Sequence, residues 1–324
     1  IRRPPRSTPK PSSAASDVYK RQVPGFHANF GNSSIIYPMA RTKKQIIGIV
    51  AKPDLTGLDK IVKTVEECAL THHKSSVIVE GRDGITREDI VNVADAVIVF
   101  GGDGTLLHVA EEAAINKKPV IGINLGSLGF LTEAPYERFK VILDDFFEGK
   151  LIEDNRQLLL STISNGKNII KKTHFLNDVV INKGALAKII NLDLYIDKIL
   201  VSNLRADGLI LSSPTGSTAY SLSAGGPIVS PGLPLVIVTP ICPHTLSNRP
   251  LVISDKSSIK IRIDSISYPV FVTFDGNESL EIDNTSELIV SKSKYKLCLL
   301  RSPDSKYFHV LKDKLMWSNN YGRK

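Results

Sequence analysis

The sequence has few cysteines and no long apolar run, and both absences narrow the class of protein. Its best apolar stretch, Leu233–Ile241, has nine residues and contains two prolines, whereas a membrane-spanning helix needs about 20. The three cysteines, Cys68, Cys242 and Cys298, lie far apart and form no CxxC pair. This pattern argues against a disulfide framework or a zinc finger, and we expect a reducing, cytoplasmic location and no membrane partner.

The excess of positive charge lies at the two ends of the chain. The 324 residues include 41 Lys+Arg and 33 Asp+Glu, which gives a net charge of +8. Residues 1–43 hold eight basic residues against one acidic residue, and Lys292–Lys324 holds nine against two, so residues 44–291 have a net charge of −6. Because the body of the protein is acidic, we expect no nucleic-acid partner.

Residues 1–43 lack the hydrophobic periodicity of a folded segment. They are rich in proline and serine, and we interpret them as a disordered or non-native leader that lies outside the fold. Their arginine and serine content is typical of a transit peptide, but four prolines between residues 4 and 11 interrupt the helix that such a segment needs. Met39, just before the first predicted strand, is the start that we expect for the native protein.

The rest of the chain predicts an N-terminal parallel α/β domain, a C-terminal β-rich domain and a closing C-terminal helix. Up to residue 150, apolar runs alternate with amphipathic segments; the predicted strands are Ile46–Ala51, Ser76–Glu80, Ala96–Phe100 and Val120–Ile123, and the predicted helices are Leu58–Thr71, Thr105–Asn116 and Glu137–Glu148. Later runs are short, β-branched and separated by turn residues. We expect domains at 44–150 and 151–295, and a segment at 296–324 whose helix, Tyr307–Trp317, packs back on the first domain.

Three glycines surround an aspartate between the third predicted strand and the next helix, in Gly101-Gly102-Asp103-Gly104-Thr105. Ligands bind at the carboxyl ends of strands in open α/β sheets, and glycines before a helix N-terminus favour a phosphate. The spacing is neither the Rossmann fingerprint nor the P-loop. Asp103 would then hold a divalent cation or accept the proton of an attacking hydroxyl. A tight turn with Asp103 as the helix N-cap explains the same residues equally well.

Two polar motifs interrupt the predicted β-rich domain. Asn177-Asp178 begins a strand, and a carboxylate there suits the two hydroxyls of a ribose, although such a pair also makes ordinary turns. Ser212–Pro227 consists mainly of Ser, Thr, Gly, Pro and Ala, which offer hydroxyls and amides to a polar nucleotide but pack a core poorly. The flanking strands and the embedded Tyr220 argue against a flexible linker.

Taken together and in this order, the motifs resemble those of the NAD kinase family. Gly101–Thr105 is shared with diacylglycerol- and sphingosine-type lipid kinases and, more distantly, with phosphofructokinases. The NAD kinase versions are Gly122–Thr132, Asn177-Asp178, Arg205–Ile210 with Ser212–Pro227, Thr239–Leu251 and Phe274–Asn277. The resemblance implies ATP-dependent phosphorylation of the 2′-hydroxyl of the adenosine ribose of NAD, which gives NADP. It also implies Mg²⁺ or another divalent cation, and a homodimer or homotetramer whose subunits complete one another's NAD sites.

The same resemblance assigns roles to individual residues. Asp103 is the expected catalytic residue, in a phosphate loop formed by Gly101, Gly102, Gly104 and Thr105. The expected nucleotide contacts are Asp103, Gly104, Asn177, Asp178, Lys188, Arg205, Asp207, Thr218, Ala219, Tyr220, Ser221, Leu222, Ser223 and Asn277. Three positions depart from the family pattern, with Asp178 in place of Glu, Asn277 in place of Gln, and Lys188 in place of Arg or His. We interpret His244 as structural.

Two other functions stay open on the sequence alone. A lipid kinase would share Gly101–Thr105, but it would need an apolar acceptor groove where this chain has a loop of Ser, Thr and Gly. A non-catalytic NAD(H)-sensing protein would keep that loop and would not need Asp103.

Overall fold

A computed structural model describes residues 45–72, 76–184, 189–245, 247–264 and 269–317. The first part of the chain contains, in order, β1 (Ile46–Ala51), α1 (Leu58–Thr71), β2 (Ser76–Val79), α2 (Arg87–Val93), β3 (Ala96–Gly101), α3 (Asp103–Ile115), β4 (Val120–Asn124), β5 (Ala134–Pro135) and α4 (Phe139–Phe147). The second part contains β6 (Ile152–Asn165), β7 (Asn168–Phe175), β8 (Asp178–Lys183), β9 (Ile190–Ile196), β10 (Ile199–Ala206), β11 (Gly208–Ser212), α5 (Tyr220–Ser223), β12 (Leu235–Ile241), β13 (Leu251–Ser254), β14 (Ile259–Ile263), β15 (Val270–Phe274), β16 (Glu278–Ile282), β17 (Ser286–Arg301) and α6 (Tyr307–Lys314).

The parallel α/β arrangement expected from the sequence is confirmed. Strands β1 to β4 are parallel and lie in the order β4-β3-β1-β2. Every residue of β3 is buried, because helices cover both faces of the sheet. Helix α2 was not predicted, although the sequence carries its start signal. The Thr86 hydroxyl accepts from Asp89 N at 3.1 Å, and the Asp89 carboxylate accepts from Thr86 N at 2.8 Å, which forms a capping box.

The chain order of the parallel strands creates a crevice at one edge of the sheet. Strand β1 lies between β2 and β3. The connection from β1 to β2 and the connection from β2 back to β3 therefore run on opposite faces of the sheet. Helices α1 and α4 pack on one face, and α2 and α3 pack on the other. The carboxyl ends of β1 and β3 therefore border a topological switch point, where open α/β sheets bind ligands. A hydrogen bond of 2.8 Å from Lys52 N to Phe100 O joins these two ends.

The β-rich part of the chain contributes to two sheets with a shared core. One sheet, in the order β13-β12-β11-β8-β15-β16, is antiparallel throughout. The other continues the parallel sheet, because β17 pairs with β4 at Leu299 and Val120 and with β6 along most of its length. Apolar residues of both sheets, such as Leu211 and Leu288, pack in one cluster between them. The expected β-rich region is thus a sandwich of which one sheet extends into the α/β part.

The closing helix is also confirmed, although it ends at Lys314 rather than at Trp317. It buries Val310 and Leu311, and the Tyr307 hydroxyl donates to Val229 O at 3.3 Å. Within the described ranges, no helix has both the length and the apolar character needed to cross a membrane. Cys68, Cys242 and Cys298 are free thiols.

Candidate active site

Asp103 is the first residue of α3, and its carboxylate binds the loop that follows β4. We call residues 125–132 the Asp103-binding loop. The Oδ1 atom accepts from Leu131 N at 3.1 Å and from both the backbone N and the hydroxyl of Thr132 at 2.9 Å. The Oδ2 atom accepts from Phe130 N at 2.8 Å. The two glycine-rich motifs of the α/β part therefore form one site, in which the aspartate of the first motif orders the backbone of the second.

The loop can approach the carboxylate this closely because residue 129 is glycine. A Cβ at Gly129 would lie 2.5 Å from Thr132 Oγ1 and nearer still to Asp103 Oδ1. Asn124 holds both ends of the loop. Its Oδ1 accepts from Gly126 N at 2.7 Å near the start, and its Nδ2 donates to Thr132 Oγ1 at 3.0 Å at the end. The loop is thus preorganised around Asp103.

Two cavities lie at the switch point, and the first of them borders this loop. One, of about 380 Å³, is lined by Asn124, Gly126 and Lys60 among others, and the second, of about 510 Å³, is lined by Thr105 and His108 among others. Lys52 lines both cavities. Sequence reasoning did not single out this lysine, although its position directly after a buried strand was the available signal. It brings a positive charge to the edge where the helix N-terminus of Gly102–Thr105 favours an anion.

A third cavity, of about 250 Å³, lies at the end of β8 in the antiparallel sheet. Its lining includes Asn177, Asp178, Ala219, Tyr220 and Asp275. Strand register explains the meeting of these separate segments, because Ser212 and Phe274 pair with Asp178 and Val179 on the two sides of β8. The loop after β11 and the turn after β15 therefore converge on Asp178. The sequence-predicted pair Asn177-Asp178 and the predicted Ala219-Tyr220 share this site.

Two neighbouring carboxylates lie at this cavity, the buried Asp178 and the half-buried Asp275. Asp178 is 4% exposed, and burial together with the neighbouring Asp275 raises its pKa to about 7, against a hydrogen bond from the Tyr220 backbone. Asp275 accepts from Leu176 N and Asn177 N at 2.7 Å and from Asp178 N at 3.0 Å. Burial nevertheless raises the pKa of Asp275 to about 6. A carboxylate with a raised pKa that lines a cavity is a candidate functional residue, and Asp178 meets both conditions.

Most hydroxyls of the Ser212–Pro227 loop bind the protein itself. Ser213 Oγ donates to Leu176 O, Ser217 Oγ donates to Val229 O at 3.2 Å, and Ser221 Oγ pairs with Thr239 Oγ1 at 2.9 Å. A Cβ at Gly216 would overlap the Asn177 carbonyl. The small residues of this loop thus let two backbones approach each other. Tyr220, 45% exposed, remains directed to the cavity, while Thr218 and Leu222 are half-buried and Ser223 is exposed.

The structure does not bring all the predicted contacts to this cavity. Asp207 lies at the opposite end of the β8–β11 pair, about 17 Å along the strand from Ser212 at ~3.4 Å per residue, and it pairs with Lys183 at 2.8 Å. Arg205 lies at the same end, where its carbonyl accepts from His244 N at 2.8 Å. The exposed Asn277 lines a different cavity, with Glu111 of α3. Lys188 lies outside the described residues.

The described residues include no group of three or more His, Cys, Asp or Glu side chains placed to hold a metal ion. The donor set at Asp103 is a single carboxylate that already accepts four hydrogen bonds. Mg²⁺ is commonly held by one or two carboxylates together with substrate phosphates. A single carboxylate at the phosphate loop is compatible with a cation that arrives on substrate phosphates.

Comparisons with known proteins show which family the chain resembles. Residues 82–151 match the ATP-NAD kinase N-terminal domain and residues 176–302 match the ATP-NAD kinase C-terminal domain. The NAD kinase of Trichlorobacter lovleyi is 44% identical over 235 residues, which cover 72% of this chain and 82% of that protein. The NAD kinase of Solibacter usitatus is 37% identical over 277 residues, which cover 83% and 96%.

Two solved structures share the fold. A yeast NADH kinase in complex with NADH has a TM-score of 0.79 and 28% identity, over 87% of this chain and 90% of that one. An NAD kinase from Archaeoglobus fulgidus in complex with ATP has a TM-score of 0.68 and 27% identity, over 84% and 99%. These relatives decide against the lipid kinase and the non-catalytic sensor. The chain belongs to the NAD kinase family, and it is a phosphotransferase that uses ATP to convert NAD to NADP.

Proposed function

We propose that the adenosine end of NAD binds in the Asp178 cavity and that the phosphates of ATP bind at the N-terminus of α3. The observation that carries this assignment is the arrangement of the cavities along one helix. His108 of α3 lines the cavity that contains Thr105 and also the cavity that contains Asp275, and Asp275 in turn lines the cavity of Asp178. Shared lining residues therefore link the cavity beside the glycine-rich phosphate loop to the cavity of the carboxylate that suits a ribose.

At the NAD end, Asp178 accepts a hydrogen bond from the 3′-hydroxyl of the adenosine ribose, which leaves the 2′-hydroxyl to Asp103. An ionised carboxylate is an acceptor for such a hydroxyl. Asn177 adds an amide beside it, and the exposed ring of Tyr220 offers a stacking face for the adenine. Asp275 holds the three backbone amides of Leu176–Asp178 and thereby positions the pair.

At the reacting end, Asp103 receives the 2′-hydroxyl of the adenosine ribose. Its Oδ1 atom already accepts three hydrogen bonds, whereas Oδ2 accepts one, from Phe130 N. The free lone pair of Oδ2 is therefore the acceptor available to an attacking hydroxyl. In this role Asp103 orients the hydroxyl and takes up its proton as the new O–P bond forms and the bond between the γ-phosphorus and the ADP oxygen breaks.

The negative charge of the transferred phosphoryl group needs positive partners. The amides at the N-terminus of α3 and the Lys52 side chain supply these partners from the protein. A divalent cation that enters with ATP would neutralise phosphate charge when bound, and no protein cage for it is required.

We also propose a homodimer or homotetramer in which Asp207 and Arg205 serve the NAD site of another subunit. The separation of Asp207 from the Asp178 cavity along β11, and the position of Arg205 at the same end of the sheet, support this role. Apolar side chains at two sheet edges support a subunit contact; they are Ile199, Leu200 and Val201 on β10, and Leu251 and Val252 on β13. The cytoplasmic location and the domain boundaries at residues 150 and 295 stay predictions.

The assignment is tested by incubating the protein with ATP, Mg²⁺ and either NAD or diacylglycerol. We expect NADP to form with NAD and no phosphorylated lipid to form with diacylglycerol. Replacing Mg²⁺ by EDTA should abolish NADP formation while NAD binding, measured by calorimetry, persists. Phosphorylation of the lipid, or full activity in EDTA, would contradict the proposal.

A further inference from the structure

A buried network of charges connects the end of β17 to the Asp103-binding loop. Arg301 is the last residue of β17, and its side chain is 8% exposed. Its Nη1 lies 2.8 Å from Glu133 Oε2, and its Nη2 donates to Phe130 O at 3.0 Å. Arg301 therefore holds the chain on both sides of Leu131 and Thr132, the residues whose amides bind Asp103.

Strand β6 supplies the rest of the network. Arg156 donates to the two oxygens of Asp154 at 2.8 and 2.7 Å, and Arg301 Nε lies 3.0 Å from Asp154 Oδ2, without the alignment of a hydrogen bond. Although burial opposes it, the hydrogen bonds from Arg156 lower the pKa of Asp154. With Glu133, the network has two positive and two negative groups, so the buried charge of Arg301 is compensated.

The decisive detail is a single peptide unit. The Phe130 carbonyl accepts from Arg301 Nη2, and the N–H of the same peptide unit, which belongs to Leu131, donates to Asp103 Oδ1 at 3.1 Å. Because a peptide unit is planar, the group that fixes its C=O also fixes the direction of its N–H. Arg301 thus sets the orientation of one of the donors that hold the Asp103 carboxylate.

We propose that Arg301 is a positioning residue for phosphoryl transfer, which acts through the Phe130–Leu131 peptide unit to hold the Asp103 carboxylate in its reactive orientation. The inference rests on the proposed role of Asp103. A guanidinium is required because its planar fork reaches Glu133 and Phe130 O at once, whereas a lysine ammonium is a point charge on a flexible stem. Lysine at this position keeps the charge and loses the simultaneous contacts.

The test is a double-mutant cycle between Arg301→Lys and Asp103→Asn. We expect R301K to lower kcat by at least tenfold while the KM for NAD changes by less than threefold, because Asp178 and its cavity are not part of the network. In the Asp103→Asn background, we expect R301K to change kcat by less than twofold. Residues that act as one unit give non-additive effects of this kind.

A matched control separates positioning from loss of stability. Asp255→Asn weakens the ion pair between the buried Asp255 and the exposed Lys292, and the partners of Asp255 belong to neither site loop. It should lower the urea midpoint and leave kcat within twofold. If R301K does not fold, Glu133→Gln replaces it in the double-mutant cycle, and the same changes in kcat are expected. This variant removes the negative charge that pairs with Arg301 Nη1.

The inference is overturned if R301K or its substitute lowers stability without lowering kcat, or lowers kcat by the same factor in both backgrounds. A normal kcat in Asp103→Asn alone would instead overturn the proposed role of Asp103. If Asp103→Asn has a low kcat and R301K has a normal kcat, only the proposed role of Arg301 is overturned.

Discussion

Replacing Asp103 by Asn separates the two roles that the structure allows for this residue, as acceptor of the substrate hydroxyl and as anchor of the Asp103-binding loop. An asparagine oxygen at the Oδ1 position keeps the three bonds made there, to Leu131 N and to Thr132. Its NH₂ group then faces Phe130 N–H, which now donates to Oδ2 at 2.8 Å. The substitution therefore loses one hydrogen bond and sets two donors against each other.

The expected magnitudes differ for stability and for catalysis. A hydrogen bond to a charged group contributes about 1.5–3 kcal/mol, so we expect the free energy of unfolding to fall by about 2–3 kcal/mol. A group that transfers a proton in the transition state contributes roughly 10²–10⁴-fold. We therefore expect Asp103→Asn to lower kcat by about that factor, measured as NADP formed from NAD, ATP and Mg²⁺, while the protein stays folded.

The matched control is Thr132→Val, which removes the hydroxyl donor to Asp103 and leaves the carboxylate in place. Thr132 is fully buried and also accepts from Asn124 Nδ2 at 3.0 Å, so valine should cost a similar free energy of unfolding. If Asp103 takes part in the chemistry, Thr132→Val should lower kcat by at least tenfold less than Asp103→Asn does. Equal losses of kcat in the two variants would refute the chemical role and leave Asp103 only an anchor.

Three further predictions follow from the same geometry. The pKa of Asp178 in the folded protein, about 7, lies above its ordinary value. The native state therefore binds the extra proton, and the free energy of unfolding falls as pH rises from about 4 to 7, by about 1.4 kcal/mol per pH unit. Relative to wild type, Asp178→Asn should gain stability in urea unfolding between pH 5 and pH 8, and it should raise the KM for NAD. Gly129→Ala should lower kcat at least tenfold, whereas Gly232→Ala, where a Cβ meets nothing within 4 Å, should leave it unchanged. Lys52→Met should raise the KM for ATP about tenfold at low salt and less at high salt, because an exposed charge is screened. The first prediction is contradicted if the stability difference between Asp178→Asn and wild type is the same at pH 5 and pH 8. The second is contradicted by a normal kcat in Gly129→Ala, and the third by an increase in the KM for ATP in Lys52→Met that does not depend on salt.

Local pattern predicted most of the α/β part because its strands are uniformly apolar and its helices are amphipathic. It predicted the β-rich part less completely. Strand β17 extends from Ser286 to Arg301, but only Glu287–Val290 was predicted as strand there. Its middle carries Lys292, Lys294 and Lys296 on the exposed side, alternating with Ser293 and Tyr295, so the period of two is present without the apolar residues that make it visible.

The site, too, could be predicted from the sequence only in part. The position of Asp103 before a helix could be inferred from three glycines after a buried strand. Its partners could not be inferred, because Phe130–Thr132 lie 27 to 29 residues further along the chain. Arg301 lies farther still, and nothing in its local sequence marks it as a member of the site.

The sequence by itself determined the class of fold, the family and the positions of the two glycine-rich segments of the α/β part, because these depend on residue types at short spacing. Only the tertiary structure decided which distant residues share a site. Strand register brought Asp275 to Asp178 and placed Asp207 at the other end of β11. The physical reason is that hydrogen bonds between strands and burial between sheets act through space. Their outcome depends on the whole packed arrangement and not on any one segment.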